Sequence, residues 1–164
     1  MGLVSDERLK KLAYEHSPKI ASYLKRRAYP FSEADLDDLL ESVLEVAWRR
    51  IDDIPEGFEL PWLIGVARNA LNNARRKDHR RRAMQVRLTP VGNASSAEDQ
   101  VIADAELHRA LSKLKPRDRE VLLLHFWDGL DVDELAVALS VTRNNAKVRL
   151  SRAMSRLRAL LADE

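Results

Sequence analysis

DVDELAVALSVTRNNAKVRLSRAMSRLRALL, residues Asp131 to Leu161, reads as two short helices joined by a turn. Asp131, with Glu134 three places on, forms a capping box that starts the first helix, and Leu135, Ala136 and Leu139 give it an apolar face. Ser140, Val141 and Thr142 make the turn, and Thr142 is a good N-cap for the second helix. That helix has Ala146, Leu150, Ala153 and Leu157 on its apolar side, while Arg143, Asn144, Lys147, Arg149, Arg152 and Arg156 project elsewhere. The spacing is that of a helix-turn-helix whose second helix is the reader, because guanidinium and amide side chains suit phosphates and base edges. Ala136 is small where the two helices are expected to cross closely. Ser140 occupies a turn position that usually carries glycine, since positive φ is easiest there. The competing reading of these residues is an ordinary helical hairpin with a solvated basic face.

Working outward, nearly every ordered stretch has helical periodicity and none alternates like a strand, so the expected fold is all-α. Prolines are expected at the joints: Pro18 after a cap at Ser17, Pro30 ending a helix, Pro61 and Pro116 opening two others. Ser32 and Asp35 begin a helix with Leu36, Leu39, Leu40, Val43, Ala47 and Trp48 toward the core, leaving Asp37, Asp38, Glu41 and Glu45 outward. A turn-rich loop, Asp52 to Leu60, precedes a long helix whose buried stripe is Trp62, Leu63, Val66, Ala67, Ala70, Leu71 and Ala74. On its polar side Arg68, Asn72, Arg76 and Arg80 recur every four residues with Asn69 and Asn73 beside them, a stripe suited to a nucleic-acid backbone and exposed bases. Cations near a helix end also gain from the helix dipole, which accounts for two or three of these charges at most. Phe58 and Trp62 have the ring chemistry to stack on a base; the core is the expected place of Trp62.

The helical pattern lapses between Gln85 and Ala103, where Pro90, Gly92, Asn93, Ser95 and Ser96 have linker composition. Three parts are therefore expected: 1–84, a linker at 85–103, and 104–164. With 164 residues, 45% hydrophobic and 33% charged, the chain suits one domain or two small ones. It has no cysteine, and its four histidines are scattered, so neither disulfides nor a metal site nor any cofactor is expected. No segment has the pattern of a membrane span or a signal peptide, and the expected location is the cytoplasm. The net charge of +2 hides a strongly basic Arg75 to Arg87 and a strongly acidic Glu33 to Glu59, which points to two kinds of partner. There is no nucleophile elbow, phosphate loop or other catalytic motif, so an enzyme is not expected.

Four stretches in fixed order then resemble the extracytoplasmic-function sigma factors of bacterial RNA polymerase, compact two-domain members of the sigma-70 class. Asp35 to Trp48, DLDDLLESVLEVAW, is similar to conserved region 2.2, and Trp62 to Arg76, WLIGVARNALNNARR, to regions 2.3 and 2.4. Leu114 to Leu124, LKPRDREVLLL, and Gly129 to Leu157 resemble region 4. The resemblance implies a core-polymerase surface at Asp35, Asp38, Leu39, Glu41, Ser42 and Glu45, docking on the β′ clamp helices, with the β flap as a second polymerase contact. It implies that Phe58, Arg68, Asn69, Asn72, Asn73, Arg76 and Arg80 melt the minus 10 element and capture a flipped base. It also implies that Thr142, Arg143, Asn144, Asn145, Lys147, Arg149 and Arg152 meet the minus 35 element, with Arg143, Asn144, Asn145 and Lys147 nearest the bases and Arg149 and Arg152 nearer phosphates. Promoter DNA and core polymerase are thus the implied partners, an anti-sigma factor is plausible by the same resemblance, and no membrane is implied. The alternatives are a stand-alone helix-turn-helix regulator, whose N-terminal half would dimerise or bind a ligand, and an adaptor built of helical hairpins.

Overall fold

The computed structural model describes residues 2–85 and 105–163, and among these every regular element is helical. The chain divides into two compact units, Met1–Glu98 and Asp99–Glu164. The linker expected at 85–103 lies, apart from Gln85, outside the described residues.

The first unit comprises α1 (Leu3–Arg26), α2 (Glu33–Arg49), a 3-10 turn (Ile51–Asp53) and α3 (Glu59–Gln85), with the three helices packed on one another. α1 runs straight through Pro18, which corrects the expected joint there. The lost hydrogen bond is outweighed by burial on both sides of it, of Leu12 before and of Ile20, Tyr23 and Leu24 after. α2 begins where the sequence places it. The Ser32 hydroxyl accepts from the Asp35 N–H at 3.2 Å, and the Asp35 carboxylate accepts from the Ser32 N–H at 3.0 Å. That backbone bond, then the Ser32 side chain, holds the Asp35 carboxyl below its ordinary 3.8. The cap therefore contributes in full above that value and is lost as pH falls through the lowered one.

Val43 and Ala47 are the buried centre line of α2. Trp48, expected in the core, is instead 55% exposed. One residue past Ala47 is 100° further round the helix, which carries the indole off the buried stripe. In α3 the buried residues are Pro61, Leu63, Ile64, Ala67 and Leu71. Trp62 is only half-buried, a second correction, with the Arg50 guanidinium 5.5 Å from its ring centroid. Arg27 is buried at 5% exposure. Its guanidinium lies 3.9 Å from the Tyr23 ring centroid, and its carbonyl accepts from Arg75 Nη2 at 2.9 Å, tying α1 to α3.

The second unit comprises α4 (Ala105–Lys113), α5 (Pro116–Phe126), α6 (Val132–Leu139) and α7 (Arg143–Ala162), with α7 packed on the other three. Arg119 closes the α4–α5 junction by donating from Nε to the Leu111 carbonyl at 3.1 Å and from Nη2 to the Leu114 carbonyl at 3.2 Å. Asp131 and Glu134 form the expected capping box on α6. On α6 and α7 the buried small residues are Ala138, Ala146 and Ala153; Ala136 is half-buried.

Ser140 adopts φ 54° and ψ 47°, the left-handed region. Its N–H reaches the Val137 carbonyl at 3.2 Å, and the Val141 N–H reaches the Ala136 carbonyl at 3.0 Å, a Schellman motif built without glycine. A side chain there costs roughly 1–2 kcal/mol, part of which glycine returns through its freer unfolded chain. Ser140→Gly is accordingly expected to stabilise this unit by about 1 kcal/mol. Urea unfolding followed on the second unit within the full chain checks this, and an unchanged or lowered midpoint would refute it.

Candidate nucleic-acid interface

Each unit carries one cationic or amide-rich face. In the second unit, Thr142 caps α7 by accepting from the Asn145 N–H at 3.1 Å. The helix buries Ala146, Leu150 and Ala153 and leaves Asn144, Asn145 and Arg152 exposed, with Arg149 half-buried. From Leu135 to Ala162 there is no acidic residue, so nothing within the reader helix offsets its cations.

An open groove of about 570 Å³ runs along this helix, lined on one side by Thr142, Asn144, Asn145, Arg149 and Arg152 and on the other by Lys115 and Arg117. The start of α5 supplies the second wall, with Pro116 at its first position. A helix N-terminus beside Lys115, Arg117, Arg149 and Arg152 is a setting for phosphate oxygens. Lys115 and Arg117 were not read from the sequence as site residues. Their signal was the proline-led helix start, but only packing brings it alongside the middle of α7.

Two expected readers, Arg143 and Lys147, do not line this groove. They lie on the flank of α7 that faces α6, where Arg143 Nε meets Asp133 Oδ1 at 2.8 Å. Arg156 also has a partner: its Nη1 lies 2.9 and 2.8 Å from the two Asp118 oxygens. Asp118 thus places a carboxylate, only 13% exposed, in the groove wall. Asp118→Asn is expected to raise non-specific duplex affinity about threefold, because it removes one repulsive charge and releases the Arg156 donors. Fluorescence anisotropy with a random-sequence duplex at low salt reads this directly; weaker binding would contradict it.

In the first unit, the loop after the 3-10 turn exposes Pro55, Glu56 and Gly57, with Phe58 half-buried. Gly57 has φ 83°, a conformation that side chains resist. The loop is closed internally by Phe58 N–H to the Pro55 carbonyl at 3.2 Å and Gly57 N–H to Glu59 Oε1 at 3.1 Å. Beyond it, Trp62, Asn69, Asn73, Arg76 and Arg80 fall on the side of α3 opposite Leu63, Ile64, Ala67 and Leu71. From Trp62 to Arg80 that stripe extends ~27 Å at 1.5 Å per residue. Arg68 and Asn72 are half-buried on its edge. The neighbouring Arg81 and Arg82 are drawn to Asp78, at 3.5 and 3.0 Å, and Arg82 also reaches the Tyr29 hydroxyl at 3.4 Å. The end of the basic run is therefore partly structural.

The acidic surface is separate. Asp38, Glu41 and Glu45 are exposed on α2, Leu39 is half-buried, and Asp35 and Ser42 serve the helix itself, Ser42 Oγ donating to the Asp38 carbonyl at 2.9 Å. Among the described residues no cluster of His, Asp and Glu is arranged to hold a metal, and no helix is long and apolar enough to cross a membrane.

The chain is similar to known proteins in sequence and in fold. The family model "Sigma-70, region 4" matches residues 104–157. The chain is 32% identical over 131 residues to the ECF RNA polymerase sigma factor EcfG of Rhodopseudomonas palustris, covering 76% of this chain and 70% of that protein. It is 27% identical over 150 residues to the RNA polymerase sigma factor NccH of Alcaligenes xylosoxydans xylosoxydans, covering 82% of this chain and 77% of the relative. Its fold is similar to that of the sigma factor RpoE solved with the anti-sigma factor NepR from Bartonella quintana, with a TM-score of 0.62 at 22% identity over 93% of this chain and 96% of that one. With two helical units, a helix-turn-helix and a relative of this identity and coverage, the chain belongs to the extracytoplasmic-function sigma factors, which bind core RNA polymerase and direct promoter recognition, melting and initiation.

Proposed function

We propose a division of this work among the three surfaces. The α7–α5 groove takes the minus 35 element, with Asn144 and Asn145 toward base edges and Arg149, Arg152, Lys115 and Arg117 toward phosphates. The observation that carries this is the groove itself, which gathers amides and cations from two helices while α7 contributes no acid. Arg143 and Lys147 sit on the other flank, suited to the opposite edge of the same duplex.

The loop at 54–58 and the outer stripe of α3 take the minus 10 element. Unpairing costs a few kcal/mol, and the stripe offers rings and amides for unstacked bases beside Arg76 and Arg80 for the strand. Half-exposed Trp62 is available for stacking in a way a core residue is not. The acidic face of α2, centred on Asp38, Glu41 and Glu45, is the surface for the β′ clamp helices, and the second unit also meets the β flap. The parts are 1–84 for polymerase and minus 10, 85–103 as linker and 104–164 for minus 35. The chain works by binding, in the cytoplasm, with no catalytic residue of its own. Because RpoE is described in complex with NepR, an anti-sigma factor is a further partner for this chain.

Abortive transcription by bacterial core polymerase on a library of promoter fragments tests the whole reading. Product from templates sharing two spaced elements, only when core and this protein are both present, is the expected result. Sequence-specific duplex binding by the protein alone, without stimulation of core, would favour the stand-alone regulator.

A further inference from the structure

We infer that Arg8 is a positioning residue for promoter melting, through the loop at 54–58; the inference rests on the minus 10 reading of that loop. Arg8 lies in the second turn of α1, far in sequence from the nucleic-acid face and outside every stretch singled out by motif. Its guanidinium nevertheless spans the segment that launches the loop. Nη1 donates to the Ile51 carbonyl at 2.6 Å and Nη2 to the Ile54 carbonyl at 2.7 Å, across 43 and 46 residues.

Those two carbonyls bracket the 3-10 turn, and the second immediately precedes Pro55 at the base of the exposed loop. Both isoleucine side chains are buried, at 5% and 3% exposure. The turn is thus held from below by apolar packing and from the side by one planar fork. Charge-assisted bonds of this length are about twice as strong as neutral ones, and only a guanidinium offers two donors at fixed spacing. Beyond Ile54 the loop is closed by its own Phe58–Pro55 and Gly57–Glu59 bonds, so its shape is local but its placement depends on where Ile54 is held. A pocket that must catch one unstacked base gains selectivity from such placement, and a displacement of about 1 Å is enough to lose it.

The experiment compares full-length wild type, Arg8→Lys and Arg8→Met, each assembled with core polymerase, on a promoter library randomised across both elements. Lysine keeps the charge but cannot bridge both carbonyls. The expected result for both variants is a roughly tenfold loss of discrimination at one minus 10 position, with minus 35 preferences and affinity for core unchanged. Hydrogen exchange supplies a second readout, with faster exchange at Gly57 and Phe58 but not in α2 or α3. Unchanged minus 10 preferences in both variants, or global unfolding of both, would overturn the assignment and leave Arg8 as a structural tie only. Phe58→Ala is the control. If it alters minus 10 preference while the Arg8 variants do not, only this inference fails; if it too leaves that preference intact, the minus 10 reading of the loop fails with it.

Discussion

Reversing two charges in the α7 groove, Arg149→Glu with Arg152→Glu, is expected to reduce promoter-dependent initiation at least about 100-fold. Each charged contact to a phosphate oxygen contributes about 1.5–3 kcal/mol, so losing two removes about 3 kcal/mol or more before any repulsion. Releasing two fewer counterions lowers the salt slope of duplex binding by roughly 1.8. Both residues line the groove, and neither belongs to the buried stripe of Ala146, Leu150 and Ala153, so folding should be little affected. Binding of the assembled holoenzyme to a duplex promoter at several salt concentrations is the measurement. An unaltered slope would show that this groove does not face phosphates.

The second large effect is expected at the opposite pole of charge. Asp38→Arg with Glu41→Arg reverses the exposed acidic face of α2 and should weaken assembly with core polymerase about 100-fold, since like charges set against a complementary surface cost several kcal/mol. Asp35 is the wrong residue for this test, because its carboxylate closes the capping box and its loss would fray α2. Duplex affinity through the second unit's groove should not change in the same full-length variant, which separates a docking defect from a DNA defect. Titration of labelled protein into core, alongside duplex binding by the same variant, distinguishes the two; assembly at wild-type affinity would remove the acidic face from the polymerase surface.

The acidic face and the groove differ in how far the order of residues reveals them. The acidic face was legible in the order of residues, because period-3.6 patterning alone turns Asp38, Glu41 and Glu45 away from Val43 and Ala47. The groove was only half legible. Asn144, Asn145, Arg149 and Arg152 follow from the helix they share, whereas Lys115 and Arg117 come from another helix and Arg143 is turned toward Asp133. Pattern reasoning sorts residues by face within one helix and has no term for which helix lies opposite.

Trp48 and Trp62 show the same boundary. Hydrophobicity assigns large rings to the core, but the two helices place Ala47 and Leu63 at the centre of packing and leave each indole one step round the cylinder. Pro18 erred in the other direction. Its local preference to end a helix was overridden by the burial of Ile20, Tyr23 and Leu24 beyond it.

The sequence by itself determined the helix starts at Ser32, Pro116, Asp131 and Thr142, the all-α class and the sign of each surface, because capping, periodicity and charge act over only a few residues. Tertiary structure alone decided the second wall of the groove, the exposure of the two tryptophans and the grip of Arg8 on Ile51 and Ile54. Each of these depends on groups distant in the chain meeting in space, and that meeting is settled by how whole helices bury their apolar faces together.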